Sequence, residues 1–180
     1  LAEEEINDIN KDSVIVTKNS FDLGVDFLKE TIESLEKGEP LSPKSARQIV
    51  SGITGSLLKN KSLLLILTST KSHDESTFVH DVNVCIFTVL QAEVLGIDKK
   101  YWSEIGASAL LHDVGKLSVS GDILRKKGKL TKEEREKISI HPAQGAKILL
   151  ETEGINILPA IVAFEHHMAY DKTGYPKRLY

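Results

Sequence analysis

The stretch Ala109-Leu110-Leu111-His112-Asp113-Val114-Gly115-Lys116 sets a His-Asp pair at the end of an apolar helical run, with a glycine and a lysine directly after it. A carboxylate delivered by an apolar segment needs a partner, because burying an unpaired charge is costly, and a metal ion suits a carboxylate next to an imidazole. The plain alternative is an Asp paired with a nearby lysine, beside a core histidine. The other histidines decide between the two. His80, His112, His141 and His166 follow one another at intervals of 32, 29 and 25 residues, and His167 adjoins the last. Each interval is about one helix plus a connection, which is how successive helices of a bundle bring one side chain each to a common centre.

Neutral imidazoles with a carboxylate suit divalent iron, manganese, zinc or nickel better than calcium or magnesium. Five imidazoles exceed the needs of one catalytic ion with open positions, so two ions are expected, with the two oxygens of Asp113 available to bridge them. Two-metal centres serve phosphoester hydrolysis: one ion activates water and both stabilise the charge that develops at phosphorus. Lys116 supplies a fixed cation for a phosphate oxygen. The sixth histidine, His73, stands among Lys71, Ser72 and Asp74 and is expected to be solvated.

The elements that must position these residues are nearly all helical. The front section opens on an acidic segment, Leu1 to Asn10. Ser13 to Thr17 is β-branched and reads as one short isolated strand. Phe21, Val25, Leu28, Ile32 and Leu35 recur at steps of three and four, predicting a helix from Phe21 to Lys37 stopped by Gly38. Ser42-Pro43 opens a second helix to about Leu58, and leucine-rich Lys61 to Ser69 is a third, shorter one. Further on, Thr77 to Leu95 reads as a long apolar helix closed by Gly96, and Asp98 caps a helix from Lys99 to His112. Thr131 and Glu134 form a capping box for a charged helix to about Ile140. Pro142 opens a helix to Leu150, Leu158 to Met168 forms the next, and Asp171 to Pro176 is turn chemistry.

The bulk numbers narrow the class. With 41% hydrophobic and 27% charged residues over 180 positions, the chain can build one good core or one domain with a helical appendage. A net charge of −3 offers no basic footprint for DNA or RNA. The single cysteine, Cys85, excludes an internal disulfide and lies in an apolar helical stretch, as a buried small hydrophobe would. The most apolar run, Leu63 to Leu67, is far too short for a membrane segment. Charge runs such as Glu3-Glu4-Glu5 and Lys132 to Lys137 read as solvated helix faces.

From about residue 73 the sequence resembles the HD superfamily of metal-dependent phosphohydrolases, specifically its HD-GYP branch of bacterial signalling proteins. Asp74 to Val84 with His80, Leu111 to Lys116, His141-Pro142 with Gly145, and His166-His167 leading to Gly174-Tyr175-Pro176 carry the likeness in the branch's order. The resemblance implies an all-α HD-domain helical bundle that hydrolyses cyclic di-GMP, to the linear dinucleotide or GMP, in the cytoplasm. It implies His80, His112, Asp113, His141, His166 and His167 as metal ligands, holding two divalent ions, iron or manganese first, with zinc or nickel compatible. Lys116 would touch the substrate phosphate, and Gly174, Tyr175 and Pro176 would shape the nucleotide pocket or a partner surface. A diguanylate cyclase of the GGDEF type and a second copy of the chain are the partners it suggests.

The chain also departs from the branch. Met168 replaces the Glu that usually follows the double histidine, and Lys172 replaces the Gly after Asp171. Ser76 stands where three-metal members carry a Glu, which favours two ions here. The branch's further Asp ligand and substrate-binding Arg would fall beyond Tyr180, so residues 71–180 are expected to form an HD-GYP-like domain truncated at its C-terminal side. Residues 1–70 form a helical section of unknown role. Two rival functions follow: an HD phosphohydrolase acting on another nucleotide, and a catalytically silent regulatory module that binds a partner without hydrolysis.

Overall fold

The computed structural model describes residues 11–59, 62, 68 and 77–177. Among these the chain is helical without a strand. It runs α1 (Lys11–Glu36), α2 (Pro43–Lys59), α3 (Thr77–Val94), a 3-10 turn (Lys99–Tyr101), α4 (Trp102–Leu110), a second 3-10 turn (Val114–Ser118), α5 (Gly121–Leu124), α6 (Lys132–Ile138), α7 (His141–Leu150) and α8 (Ile157–Glu165). The expected segments Leu1–Asn10 and nearly all of Lys61–Ser69, together with His73 and Ser76, lie outside the described residues.

Local chemistry explains most boundaries. The Ser42 hydroxyl accepts from the Ser45 amide at 3.3 Å, one residue before Pro43 opens α2. The Asp98 carboxylate accepts from the Lys100 amide at 3.0 Å and starts the 3-10 turn that leads into α4. Thr131 and Glu134 close a reciprocal capping box, at 3.2 and 2.7 Å, over an α6 that buries none of its residues. The segment Ser13–Thr17 is not a strand but lies within the first two turns of α1. A lone strand has no neighbour to take its backbone hydrogen bonds, whereas a helix satisfies them internally, so the helix extends back from the Phe21 periodicity and overrides residue preference.

The helix expected to reach His112 ends at Leu110, and the one expected to reach Met168 ends at Glu165. Both early stops leave the chemistry-bearing residues on turns. That freedom lets their side chains aim where a continuing helix would not.

One apolar cluster holds the elements together. It joins Phe21, Val25 and Leu28 of α1 to Val50, Ile53 and Leu57 of α2, Val82, Ile86 and Val89 of α3, and Leu110 of α4. It continues through Leu149 of α7 to Ala160 and Ala163 of α8. The main packings are α1 on α2, α3 on α4, α2 on α4, α8 on α4 and α7, and the second 3-10 turn on α7. Trp102 seats the start of α4, its indole N–H donating to the Ile97 carbonyl at 2.8 Å. Cys85 is fully buried, and burial pushes its thiol up to about 12, so it is an inert core residue. No helix of the described residues is long and apolar enough to cross a membrane.

The front helices therefore share their apolar faces with the later bundle. Phe21, 0% exposed, tests this. Phe21→Ala is expected to cost about 3–5 kcal/mol of global stability in denaturant unfolding, within a single transition. A cost under about 1 kcal/mol, or two separated transitions, would contradict the shared core.

Candidate metal centre

Three of the histidines are aimed by the same local device. His112 follows α4, and its Nδ1 lies 2.7 Å from the Ala109 carbonyl. His141 opens α7, with Nδ1 2.7 Å from the carbonyl of Ile138, the last residue of α6. His166 follows α8, with Nδ1 2.8 Å from the Ala163 carbonyl. In each case Nδ1–H donates to the carbonyl three residues back, one of the acceptors that a helix end leaves without an intrahelical donor. A neutral ring whose Nδ1 carries the proton has its lone pair on Nε2. All three Nε2 atoms then point inward.

They converge on Asp113. Its Oδ2 accepts from the Lys116 ammonium and lies 3.3 Å from His112 Nε2. Its Oδ1 lies 3.2 Å from His141 Nε2 and 3.4 Å from His166 Nε2, and those two nitrogens are 3.1 Å apart. Asp113 is 4% exposed and His141 0%. Burial alone would raise the Asp113 carboxyl, but wherever His112, His141 and His166 carry a proton on Nε2 as well, their contacts outweigh it and hold the group well below the usual carboxylate range. His112 responds in the opposite sense: burial pulls its pKa down, yet contact with Asp113 leaves it raised.

His167 stacks against His166, ring centres 4.2 Å apart, and lies 5.1 Å from His141. Burial and its two histidine neighbours push its pKa down to about 4, so the ring is neutral near pH 7. His80 reaches in from α3, its ring centre 5.7 Å from that of His112. Burial, then His112, lowers its pKa as well.

All six residues expected as ligands thus meet in two overlapping groups. Asp113, His141, His166 and His167 form one. His80, His112 and Asp113 belong to the other, together with Asp81, and within each group the potential ligand atoms lie inside 4.8 Å of one another. Asp81 escaped the sequence reading. An acid inside the apolar face of α3, directly after a singled-out histidine, was the signal available.

A metal fits this arrangement on the chemistry of its donors. With their Nδ1 protons committed to carbonyls, neutral imidazoles offer Asp113 lone pairs rather than protons. Asp113 Oδ1 accordingly has no hydrogen-bond donor although buried. Acceptors 3.1 to 3.4 Å apart repel unless a cation lies among them. An open cavity of about 530 Å³ adjoins them, lined by His80, His112, Asp113, Lys116, His166 and His167 on one side. Val84, Ile105, Leu158 and Val162 contribute its apolar side.

The final turn acts on this centre from behind. A side chain on Gly174 would run into the His167 carbonyl, 2.1 Å from where its Cβ would sit, so only glycine permits this approach. The Tyr175 amide donates to the same carbonyl at 3.0 Å, and its ring stacks on His167 with centres 4.6 Å apart. Gly174, Tyr175 and Pro176 do not line the 530 Å³ cavity. Lys172 holds φ at 67°, the left-handed region, which is a physical reason for the glycine that the HD-GYP branch usually carries there. Gly115 shows a second close approach: a Cβ there would fall 2.0 Å from the His141 carbonyl, so the 3-10 turn and the start of α7 touch backbone to backbone.

A helical bundle that gathers five imidazoles around one buried carboxylate, four of them lining the adjoining cavity, defines a divalent-metal-binding domain. The family model described as the HD domain matches residues 73–180, and the chain belongs to that family, in the HD-GYP branch its motifs resemble. It is 37% identical over 139 residues to a cyclic di-GMP phosphodiesterase of Pseudomonas aeruginosa, covering 77% of this chain and 34% of that protein. Against a cyclic di-GMP phosphodiesterase of Thermotoga maritima the identity is 32% over 149 residues, covering 82% and 40%. Against a 3′3′-cGAMP-specific phosphodiesterase of Vibrio cholerae it is 39% over 98 residues, covering 54% and 21%. The chain thus spans two fifths or less of the length of these curated relatives.

Because the ring nitrogens must be unprotonated to bind a cation, protons compete with the metal. Retention of Mn²⁺ is expected to fall as pH drops from 8 toward 5, with His112, whose pKa is raised, taking up a proton first, and with protons released on binding at lower pH. Equilibrium dialysis across pH 5 to 8 checks this. Retention that stays flat over that range would show that the imidazoles do not hold the ion.

Proposed function

We propose that this chain is the catalytic part of a metal-dependent phosphodiesterase that hydrolyses cyclic di-GMP to the linear dinucleotide or GMP. The observation that carries the reading is the pair of four-residue donor groups sharing Asp113 beside an open cavity. The names of the relatives support the substrate class. His80, His112, Asp113, His141, His166 and His167 would hold two divalent ions, iron or manganese. Bound there, the ions supply Lewis acidity toward water and the phosphoryl oxygens.

The chain's own residues do the rest. Carbonyl-anchored imidazoles keep the donor set rigid, and Asp113 stays ionised between the two groups. Lys116, whose ammonium rests on Asp113 and also lines the cavity, steadies a non-bridging oxygen as water attacks phosphorus and the bond to the 3′ oxygen breaks. The apolar side of the cavity, Val84, Ile105, Leu158 and Val162, offers a surface for a base. Gly174, Tyr175 and Pro176 brace His167 and so bear on the pocket through it.

This substrate is made and used in the cytoplasm, which is where the reading places the protein. A GGDEF diguanylate cyclase, which makes the dinucleotide, is its natural partner. A second copy would dock on the solvent side of α1, where Leu23 is exposed. A second reading, 3′3′-cGAMP or another cyclic dinucleotide as substrate, draws on the Vibrio cholerae relative and on Met168 and Lys172 beside the pocket-bracing turn.

The test is turnover by the natural protein carrying this chain, purified without oxygen and loaded with Fe²⁺ or Mn²⁺, on a panel that includes cyclic di-GMP and 3′3′-cGAMP. Cyclic di-GMP is expected to be opened fastest. His112→Ala and Asp113→Ala are expected to lose metal and about 10³-fold or more in rate, and Lys116→Met to lose about 10–100-fold in kcat/KM with metal content unchanged. Faster turnover of 3′3′-cGAMP would favour the second reading. A fully loaded protein inert on the whole panel would defeat both.

A further inference from the structure

Helix α3 faces two cavities. His80 and Val84 line the one beside the metal centre, whereas Thr77, Phe78 and Asp81 line a second, of about 830 Å³. That volume lies in the range of small-ligand sites, roughly 300–1,000 Å³. Much of its wall is apolar: Leu28 and Ile32 from α1, Phe78 from α3, and Val114 and Leu117 from the second 3-10 turn.

Its polar groups stand at two depths. Asp81, 4% exposed, lies at the buried end, and among the described residues nothing donates to its Oδ1. Arg125, Lys126 and Lys127 are exposed and form the mouth. Lys126 is held by Glu134 at 2.6 Å, whereas the pair of Arg125 with Asp122, at 3.8 Å and exposed, is weak. Arg125 and Lys127 therefore remain for a group from outside, and they outnumber Glu36, an acid that also lines the mouth. The Arg125 guanidinium lies 2.7 Å from where a Cβ on Gly121 would sit, so the glycine makes room for it.

A matching ligand carries N–H donors at one end, a flat apolar body and an anion at the other end. An ionised carboxylate only accepts hydrogen bonds, through two oxygens. Among the four RNA bases, guanine alone sets two donors side by side on one edge, N1–H and the 2-amino group. Adenine and cytosine set a donor beside an acceptor, and uracil sets its N–H between two acceptors. A base also suits an apolar slot that includes an aromatic ring, and a 5′-phosphate suits an arginine at the mouth.

We propose that this second cavity is a guanine mononucleotide site, separate from the metal centre, with the base edge on Asp81 and the phosphate at Arg125 and Lys127. GMP is a product of the reaction proposed above. Its role as a regulator rests on that reading; the binding site itself does not. The cavity reaches Asp113 and Lys116 from the α1 side, so an occupant bears on the turn that carries Lys116.

The test is calorimetric titration of the natural protein carrying this chain with GMP, AMP and xanthosine 5′-monophosphate, as purified and again after chelation of its metal. After chelation GMP is expected to bind once per chain, with AMP weaker by about tenfold or more. Xanthine has a carbonyl where guanine has the 2-amino group. Asp81→Asn, whose amide can donate, is therefore expected to move the preference from GMP to the xanthine nucleotide. Arg125→Glu, at the surface, is expected to weaken GMP by about tenfold and to leave guanosine unchanged. Both variants are checked for fold by thermal unfolding. Binding that disappears with the metal would place the nucleotide at the metal centre and overturn the second site. Equal binding of GMP and AMP, a GMP preference kept by Asp81→Asn, or unchanged GMP affinity in Arg125→Glu would overturn it too. So would a protein that binds no nucleotide at about 1 mM, a result that leaves the metal centre standing, because ion uptake is measured separately.

Discussion

The buried carboxylate of Asp113 is the constraint around which this bundle is arranged. A negative charge at 4% exposure is tolerated only if its surroundings answer it. Lys116 answers one oxygen. The other faces the Nε2 atoms of His141 and His166, which have no proton to offer while their Nδ1–H groups serve backbone carbonyls. The polypeptide thus folds into a cluster of acceptors that is incomplete by its own means. Divalent cation binding, which the HD family implies, is the completion.

The bundle achieves this with its helix ends. Ala109, Ile138 and Ala163 lie in the last turns of α4, α6 and α8, where carbonyls lack intrahelical donors. Each is satisfied by an imidazole three residues later. One hydrogen bond therefore does two tasks, finishing a helix and setting a ring's orientation and tautomer. Such a site is built from secondary-structure termini rather than from loops, and it inherits the rigidity of the apolar cluster beneath. The backbone contact at Gly115 ties the His112-Asp113 turn to the start of α7, so two of these termini are fixed relative to each other without any side chain between them.

Much of this was legible in the sequence. Helix spacing, the capping box at Thr131 and Glu134, the stops at Gly38 and Gly96, and the convergence of His80, His112, Asp113, His141, His166 and His167 all follow from residue type and interval. What escaped has physical causes. Ser13–Thr17 reads as a strand because β-branching is a local preference, while helix there is decided by continuity with Phe21 and the lack of a pairing partner. The early ends of α4 and α8 escaped because apolar periodicity does not register a carbonyl captured by a side chain. Asp81 escaped because, in a one-dimensional string, an acid beside a histidine on a helix looks like a solvent-facing neighbour. The rotation about α3 that buries it becomes visible only when the helix is packed.

Trp102 carries a consequence of another kind. It is the chain's one tryptophan, is anchored through its indole N–H to Ile97, and begins the same short helix whose far end presents His112. The chain thus carries a single tryptophan fluorophore, mounted on the element that carries its motif histidine. Its emission reports the state of that helix with no competing tryptophan signal, giving an unlabelled optical view of the bundle from the inside.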